Sequence, residues 1–510
     1  MGFALAAVVL ANAQVLTMNA AQPTATTVAI LDGKIAYVGD DLAQARKAAG
    51  GKPEVIDLAG RTVMPGFNDA HVHFGLSITL GSEHGVDVQD SSAGVWRERV
   101  KRASAARPDD DWLFVKTRNL PEGIRRASDL EFVSRPLFVV TSHGGLFNKR
   151  GMAKGHFTEA EAPQGFVRGR ELAAALDRLV KSLPLRTLTD GAHEFLEHLA
   201  KSGITSVQLI DELPDLFEGL RRKGQLTARV RMIPLGYRFE TRMYEPTWSG
   251  PAPEWVRVDG VKYFHDDGAR ITRFELKEIF DRNVAAGRPI VVHVLSRRAL
   301  DTLLDSVETL ARESHHPEAA RLYRIEHADE VTPEQAQRLQ RLGMIVCSNP
   351  SMIPEWHTER AFPMRTLLTA GVRTCIGTDW VGAQLPPRPL EPLRTVSLAA
   401  THGGFGDKER ITVAEALEAY TVGSATGEQE AAIKGSIATG KLADLIVLSD
   451  NPLKTAPDKL TNLQVQLTMV GGKIVFDHPG LVPPQRPPPP TIGPAPKQRP
   501  STIGPPRSSP

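Results

Sequence analysis

Between residues 204 and 377 the chain repeats one theme, a short apolar strand followed by an amphipathic helical stretch, and no other feature narrows its fold as much. With one earlier strand, the pattern predicts strands at 62–65, 204–210, 230–235, 261–265, 290–293, 323–327, 344–348 and 372–377. Strands separated by helices pair in parallel, because the crossover helix brings the chain back to the same end of the sheet. Eight of them predict an α/β fold, a (β/α)8 TIM-type barrel. The stretch from about 75 to 180 breaks the alternation, since TrpLeuPheValLys at 112–116 and LeuPheValValThr at 137–141 have no regular helical partner. It reads as an insertion after the first strand.

Both ends of the chain are β-rich. ValAlaIleLeu and LysIleAlaTyrVal flank AspGly within 28–38, and GlnLeuThrMetVal and LysIleValPhe flank GlyGly within 466–476, which are two hairpin signals. A lone hairpin is not stable in water. Residues 1–64 and 435–478 are therefore expected to build one small composite β-sandwich domain, with further strands near 54–64 and 442–448, and 65–434 to form the barrel. Residues 479–510 hold 13 of the 38 prolines and no aromatic residue, and they repeat ThrIleGlyPro, so they are expected to be a disordered, polyproline-like tail.

With 41% hydrophobic and 24% charged residues the chain can bury a sizeable core. Its net charge is +2, and the tail holds four basic and no acidic residues, so the remainder offers no positive field for nucleic acid. No apolar run reaches the roughly 20 residues of a membrane-crossing helix. The start, MetGlyPheAlaLeuAlaAlaValValLeuAlaAsnAla, resembles a short signal peptide but lacks a basic segment, and its apolar pattern continues through ValLeuThrMet. A first strand within 8–17 is the favoured reading. Cys347 and Cys375 are too few for a disulfide framework or a cysteine-based zinc site, although a single bridge between them stays open. A reducing, cytoplasmic compartment is the simpler expectation.

The sharpest local signal is MetProGlyPheAsnAspAlaHisValHisPhe at 64–74. Side chains on an extended segment alternate, so His71 and His73 share a face and can share one metal. With 15 histidines in the chain, one His-x-His means little alone. Its context adds Lys262, His293 in ValValHisVal, His327 in ArgIleGluHisAla and Asp379 in IleGlyThrAspTrp, all at predicted strand ends, and barrel active sites collect at that mouth. Neutral imidazoles and a carboxylate suit a divalent metal, zinc above all.

With these residues in place, the chain resembles the amidohydrolase superfamily of metal-dependent hydrolases, in the branch that includes N-substituted formamide deformylases. The likeness covers about 5–478. It includes the ProGlyPheAsnAspAlaHisValHis stretch, LysGlySerIleAlaThrGlyLysLeuAlaAspLeuIleValLeu at 434–448 and ValGlyGlyLysIleVal at 470–475. The resemblance implies one or two metal ions with His71, His73, His293 and His327 as ligands and Asp379 as ligand and base. It also implies that Lys262, a cation at neutral pH and so no ligand as it stands, reacts with CO₂ to a carbamate that bridges the metals. A plain ion pair of Lys262 with Asp266 on the same pleat face is the competing explanation. SerHisGlyGlyLeuPheAsn at 142–148 looks like the branch's substrate-side segment, which brings in His143 and Asn148, with Trp380 beside Asp379.

The expected reaction is attack of metal-bound hydroxide on a C–N bond, amide, N-formyl or carbamate, in a small molecule, with Asp379 and Lys262 as the catalytic candidates. A homo-oligomer is compatible with this. Ser296 and Arg297 replace the Gly-Asp pair usual after the fifth-strand histidine, and the loop beyond Lys262 is altered, which shifts the substrate. Deamination at a ring carbon is the nearest rival, but deaminases carry a proton-shuttling Glu where this chain has Ser296. Ester or lactone cleavage stays within the same mechanism, and a catalytically dead barrel acting as a scaffold would have lost ligands. Among the remaining residues, His265 has the parity of the helix layer, the two cysteines read as core, His315–His316 as a solvated pair, and Trp356, His357 and Arg360 as the loop after the seventh strand, either touching substrate or a plain loop. Because the tail cannot bury a core, truncation after Asp477 should leave melting temperature and turnover unchanged; a loss of either would show that it docks on the body.

Overall fold

The computed structural model describes residues 7–81, 85–88, 92–106, 111–141, 144–236, 248, 250–267, 271–314, 316–356, 362–380, 390–404, 406–478 and 481. His143, His315, His357, Arg360 and nearly all of the proline-rich tail lie outside these residues. The N-terminal strands are β1 (Val8–Ala11), β2 (Gln14–Leu16), β3 (Thr24–Ala25), β4 (Thr27–Leu31), β5 (Lys34–Gly39), β6 (Glu54–Asp57) and β7 (Thr62–Pro65). The segment 8–17 thus forms two strands. The AspGly turn between β4 and β5 has φ of 49° at Asp32 and 76° at Gly33, the two left-handed residues a tight hairpin of this hand requires. Every residue of β1 is buried because its alternate side chains enter two cores: Val8 and Leu10 pack with Ile30, Ile56 and Leu445, while Val9 and Ala11 lie under Ala45 of the helix Leu42–Ala48 and Ala49, which caps it.

The first of the predicted parallel strands needs correction. The segment 62–65 is β7, which pairs with β2 and with a C-terminal strand, whereas the strand leading into the histidines is β8 (Phe67–Val72). The chain changes sheets at Gly66. A Cβ there would stand 2.2 Å from Thr205 side-chain atoms, so no larger residue fits without a shift.

The inserted segment contributes β9 (Gly85–Asp87), β10 (Leu113–Lys116), β11 (Leu137–Thr141), β12 (Gly144–Phe147) and β13 (Phe166–Val167), one sheet in the order β13-β12-β11-β10-β9 with its own apolar clusters on both faces. Beyond it come β14 (Ile204–Leu209), β15 (Arg229–Met232), β16 (Val256–Val258), β17 (Val261–Phe264), β18 (Ile290–Val294), β19 (Tyr323–His327), β20 (Ile345–Ser348) and β21 (Arg373–Ile376). They form two all-parallel sheets, β16-β15-β14-β8 and β17-β18-β19-β20-β21. Parallel bridges Leu235–Lys262 and Val72–Trp380 link one sheet to the other at both ends. In β18, Ile290, Val292 and Val294 pack under the helices, which leaves Val291 and His293 on the opposite face.

The last strands, β22 (Leu445–Leu448), β23 (Val465–Val470) and β24 (Lys473–Asp477), join β7, β2 and β3 in a six-stranded sheet, so strands from both ends of the chain share one sheet. Among the described residues no helix is long and apolar enough to cross a membrane.

Arg229 of β15 ties a parallel sheet to this terminal one. Its Nε and Nη2 donate to Asp444 Oδ2 and Oδ1 at 2.6 and 2.9 Å, its Nη1 donates to Glu254 O at 2.8 Å, and its guanidinium stacks on Trp255. Both partners are buried. Asp444→Ala should therefore cost about 3–5 kcal/mol by stranding a buried cation, seen as a large fall in melting temperature, and Arg229→Met combined with Asp444→Leu should recover most of it.

Candidate metal centre

The end of β8 is stitched to the segment after β21. Asp379 N donates to His71 O at 2.8 Å, and His73 N donates to Trp380 O at 3.0 Å. The Asp69 carboxylate, fully buried, accepts from Thr378 N at 2.9 Å, His71 N at 3.2 Å and Tyr420 Oη at 2.7 Å. Burial pushes its pKa up to about 6 even against those hydrogen bonds. Gly377 makes the approach possible, since a Cβ there would lie 2.5 Å from His71 Cβ and 2.7 Å from His71 N.

This closure brings three donors together. His71 Nε2 and His73 Nε2 are 3.3 Å apart, and Asp379 Oδ1 lies 3.4 Å from the first and 3.2 Å from the second. Donors held by one tetrahedral ion at roughly 2.0–2.1 Å stand about 3.3–3.4 Å apart, so the triangle has the dimensions of one face of such a shell. The His327 ring centre is 5.2 Å from that of His71 and 4.4 Å from that of His293. Burial keeps the imidazoles neutral: it lowers His71 to about 3, with the Lys262 charge adding to the effect, and lowers His293 and His327 as well. Their lone pairs are therefore available at neutral pH.

Two of these residues reach the site through unusual backbone. Tyr323 and Ile325 of β19 pack on the helix side, and simple alternation would send His327 the same way. Instead His327 adopts φ of 71° and Asp379 φ of 50°, left-handed conformations that cost an L-residue energy and cluster at functional sites.

Lys262 is buried, and its Nζ has no hydrogen-bond partner among the described residues. Burial pulls its pKa down to about 8 against the attraction of Glu326 and Asp379. The ion pair with Asp266 is not formed; Asp266 Oδ2 stands 3.8 Å from His293 Nε2 instead.

Other sequence candidates divide. Asn148 is corrected: its side chain is wholly committed to backbone, accepting from Leu137 N (3.0 Å) and Gly151 N (2.7 Å) and donating to Val133 O (3.3 Å) and Arg135 O (2.8 Å), which makes it a buried helix cap with nothing left for substrate. Trp380 is half-buried and stacks on Phe195. Ser296 caps the helix Arg297–Glu313 through Ala299 N at 3.1 Å. His265 faces the helix layer, 2.9 Å from Thr302 Oγ1, and Cys347 and Cys375 are free and buried on adjoining strands. Sequence reasoning missed Glu326 and Asn349, which contact His71 and His327 from behind. A signal for the first was present: Arg324 and Glu326 are charges placed two apart in a strand otherwise built for burial.

A cluster of imidazoles and a carboxylate that could hold a metal ion stands at the ends of parallel strands, and the chain belongs to the amidohydrolase family, whose profile matches residues 54–476. Among its relatives, the N-substituted formamide deformylase of Arthrobacter pascens is 25% identical over 92% of this chain and 98% of the relative. An uncharacterized metal-dependent hydrolase of Pyrococcus horikoshii superposes with a TM-score of 0.68 at 21% identity, covering 89% of this chain and 99% of the other. An adenosine deaminase of Xanthomonas campestris with bound zinc superposes with a TM-score of 0.57 at 15% identity, covering 93% of each chain. At such identities the structural likeness speaks for the fold. Gly377→Ala should destabilise by about 1–3 kcal/mol, displace His71 and weaken Zn²⁺ or Co²⁺ uptake. Gly219→Ala, whose added methyl meets nothing within 4 Å, is the control for melting temperature and metal content.

Proposed function

We propose that the chain is a metal-dependent hydrolase that cleaves a C–N bond, amide, N-formyl or carbamate, in a small molecule. The observation that carries this reading is the donor triangle of His71, His73 and Asp379. The formamide deformylase relative supports the choice of bond. In the same reading eight strands of the two parallel sheets, β8, β14, β15 and β17–β21, form one (β/α)8 barrel spanning 65–434 with the insertion at about 75–180, the Leu235–Lys262 bridge leaving β16 outside the eight, and a composite β-domain is drawn from 1–64 and 435–478. The two free thiols fit a reducing compartment.

His71, His73 and Asp379 would hold one divalent ion, with zinc the best match to neutral imidazole and carboxylate donors, and His293 and His327 a second. Such an ion supplies Lewis acidity toward a carbonyl and lowers the pKa of water. Lys262, once neutral, adds its amine to CO₂ and releases a proton, giving the anionic carbamate that the orphaned Nζ lacks as an ammonium. Asp379, 16% exposed, takes the proton of the attacking water and delivers it to the leaving nitrogen. Trp380 borders the open side as a substrate contact, and His143 joins it on its sequence position alone. Commitment of Ser296 to a helix cap weighs against deamination.

Chelation should abolish turnover of N-acyl, N-formyl or carbamate compounds and Zn²⁺ or Mn²⁺ should restore it, with Asp379→Asn at least about 10²-fold slower and Lys262→Ala losing at least one of two ions. Full activity in exhaustively demetallated protein, checked by elemental analysis, would overturn the reading.

A further inference from the structure

Each imidazole can carry its proton on either nitrogen, and only the bare nitrogen can bind a metal. We propose that Glu326 and Asn349 make this choice for His71 and His327, so that both are positioning residues of the centre; the proposal rests on the metal reading above. Glu326 Oε1 accepts from Arg324 Nε at 2.5 Å, and its Oε2 lies 2.5 Å from His71 Nδ1. Arg324 has only donors, and it is fixed further by Ala70 O at 3.1 Å and by Gln208 Oε1. An ionised Glu326 has only acceptors, so the hydrogen in its contact with His71 belongs to Nδ1. That leaves Nε2 bare, and Nε2 is the atom of His71 in the donor triangle.

Asn349 acts through a different chain of bonds. Its Nδ2 donates to Gly377 O at 2.9 Å, which orients the amide so that Oδ1 faces His327 Nδ1 at 2.8 Å. A carbonyl oxygen can only accept, so His327 is protonated on Nδ1 and its Nε2 is free. Glu326 and Asn349 are both 0% exposed, so water does not compete for these contacts. Buried ion pairs such as Arg324–Glu326 seldom return the cost of their desolvation as stability, whereas outer partners of ligating histidines set ring orientation and tautomer. The left-handed φ of His327 is what allows consecutive residues, Glu326 and His327, both to face the centre.

The test begins with full-length, metal-free protein labelled with ¹⁵N-histidine. Long-range ¹H–¹⁵N correlation, assigned by single replacements of each histidine, should find His71 and His327 protonated on Nδ1. Glu326→Gln must keep its oxygen on Arg324 and turn an NH₂ to His71, so the His71 proton should move to Nε2 and zinc affinity by chelator competition should fall about 10- to 100-fold. Asn349→Asp, which keeps an acceptor, should hold the His327 proton on Nδ1, and Asn349→Leu should release it. A wild-type proton on Nε2 of either ring would overturn the proposal even where a variant fails to fold, as would unchanged tautomer and zinc affinity in Glu326→Gln. Nδ1 protons on both rings in a protein that takes up no zinc would support the proton assignment and overturn the reading it rests on.

Discussion

The closure between the end of β8 and residues 377–380 is the contact on which the site depends. It joins segments 309 residues apart in sequence at Asp69 and Thr378. Two backbone hydrogen bonds and the buried Asp69 carboxylate hold it, and the missing side chain of Gly377 lets it form. Without it, His71 and His73 would still share a face, but Asp379 would have no reason to stand within 3.4 Å of them.

Placing so many charges in the interior is costly, because each loses its hydration. Arg324, Glu326 and Lys262 sit on parallel strands where a sheet built for stability alone would carry branched aliphatics. Arg324 and Glu326 offset part of that cost by pairing, whereas Lys262 Nζ has no hydrogen-bond partner among the described residues and burial pulls its pKa down to about 8. The compensation is uneven, and the paired charges are the ones that reach a histidine, through Glu326 and His71. Stability comes instead from the helix-side apolar clusters, while links such as Arg229–Asp444 fix where a parallel sheet meets the terminal one.

Much of this was legible in the residue pattern, and the failures have physical causes. Seven of the eight predicted strands fall on β14, β15 and β17–β21, because buried parallel strands are short apolar runs with polar ends. The eighth was displaced because 62–65 and Phe67–Val72 are both apolar and only Gly66 separates them, so periodicity alone could not show that they lie in different sheets. Asn148 was a substrate candidate through the likeness of SerHisGlyGlyLeuPheAsn to the family's substrate-side segment, yet an Asn at that place can equally cap a helix, and its four backbone bonds decide for the cap.

By itself the sequence determined which residues could do chemistry and in what order they occur, since imidazole, carboxylate and amine at strand ends are matters of composition and spacing. It also determined the β-rich ends and the helix–strand rhythm between them, which follow from local periodicity. Only the tertiary structure decided how the donors meet. The inward turn of His327 depends on a left-handed φ, the approach of Asp379 on the absent Cβ of Gly377, and the facing nitrogens of His71 and His327 on Glu326 and Asn349. These are contacts between distant segments, and no local rule of propensity or spacing encodes them.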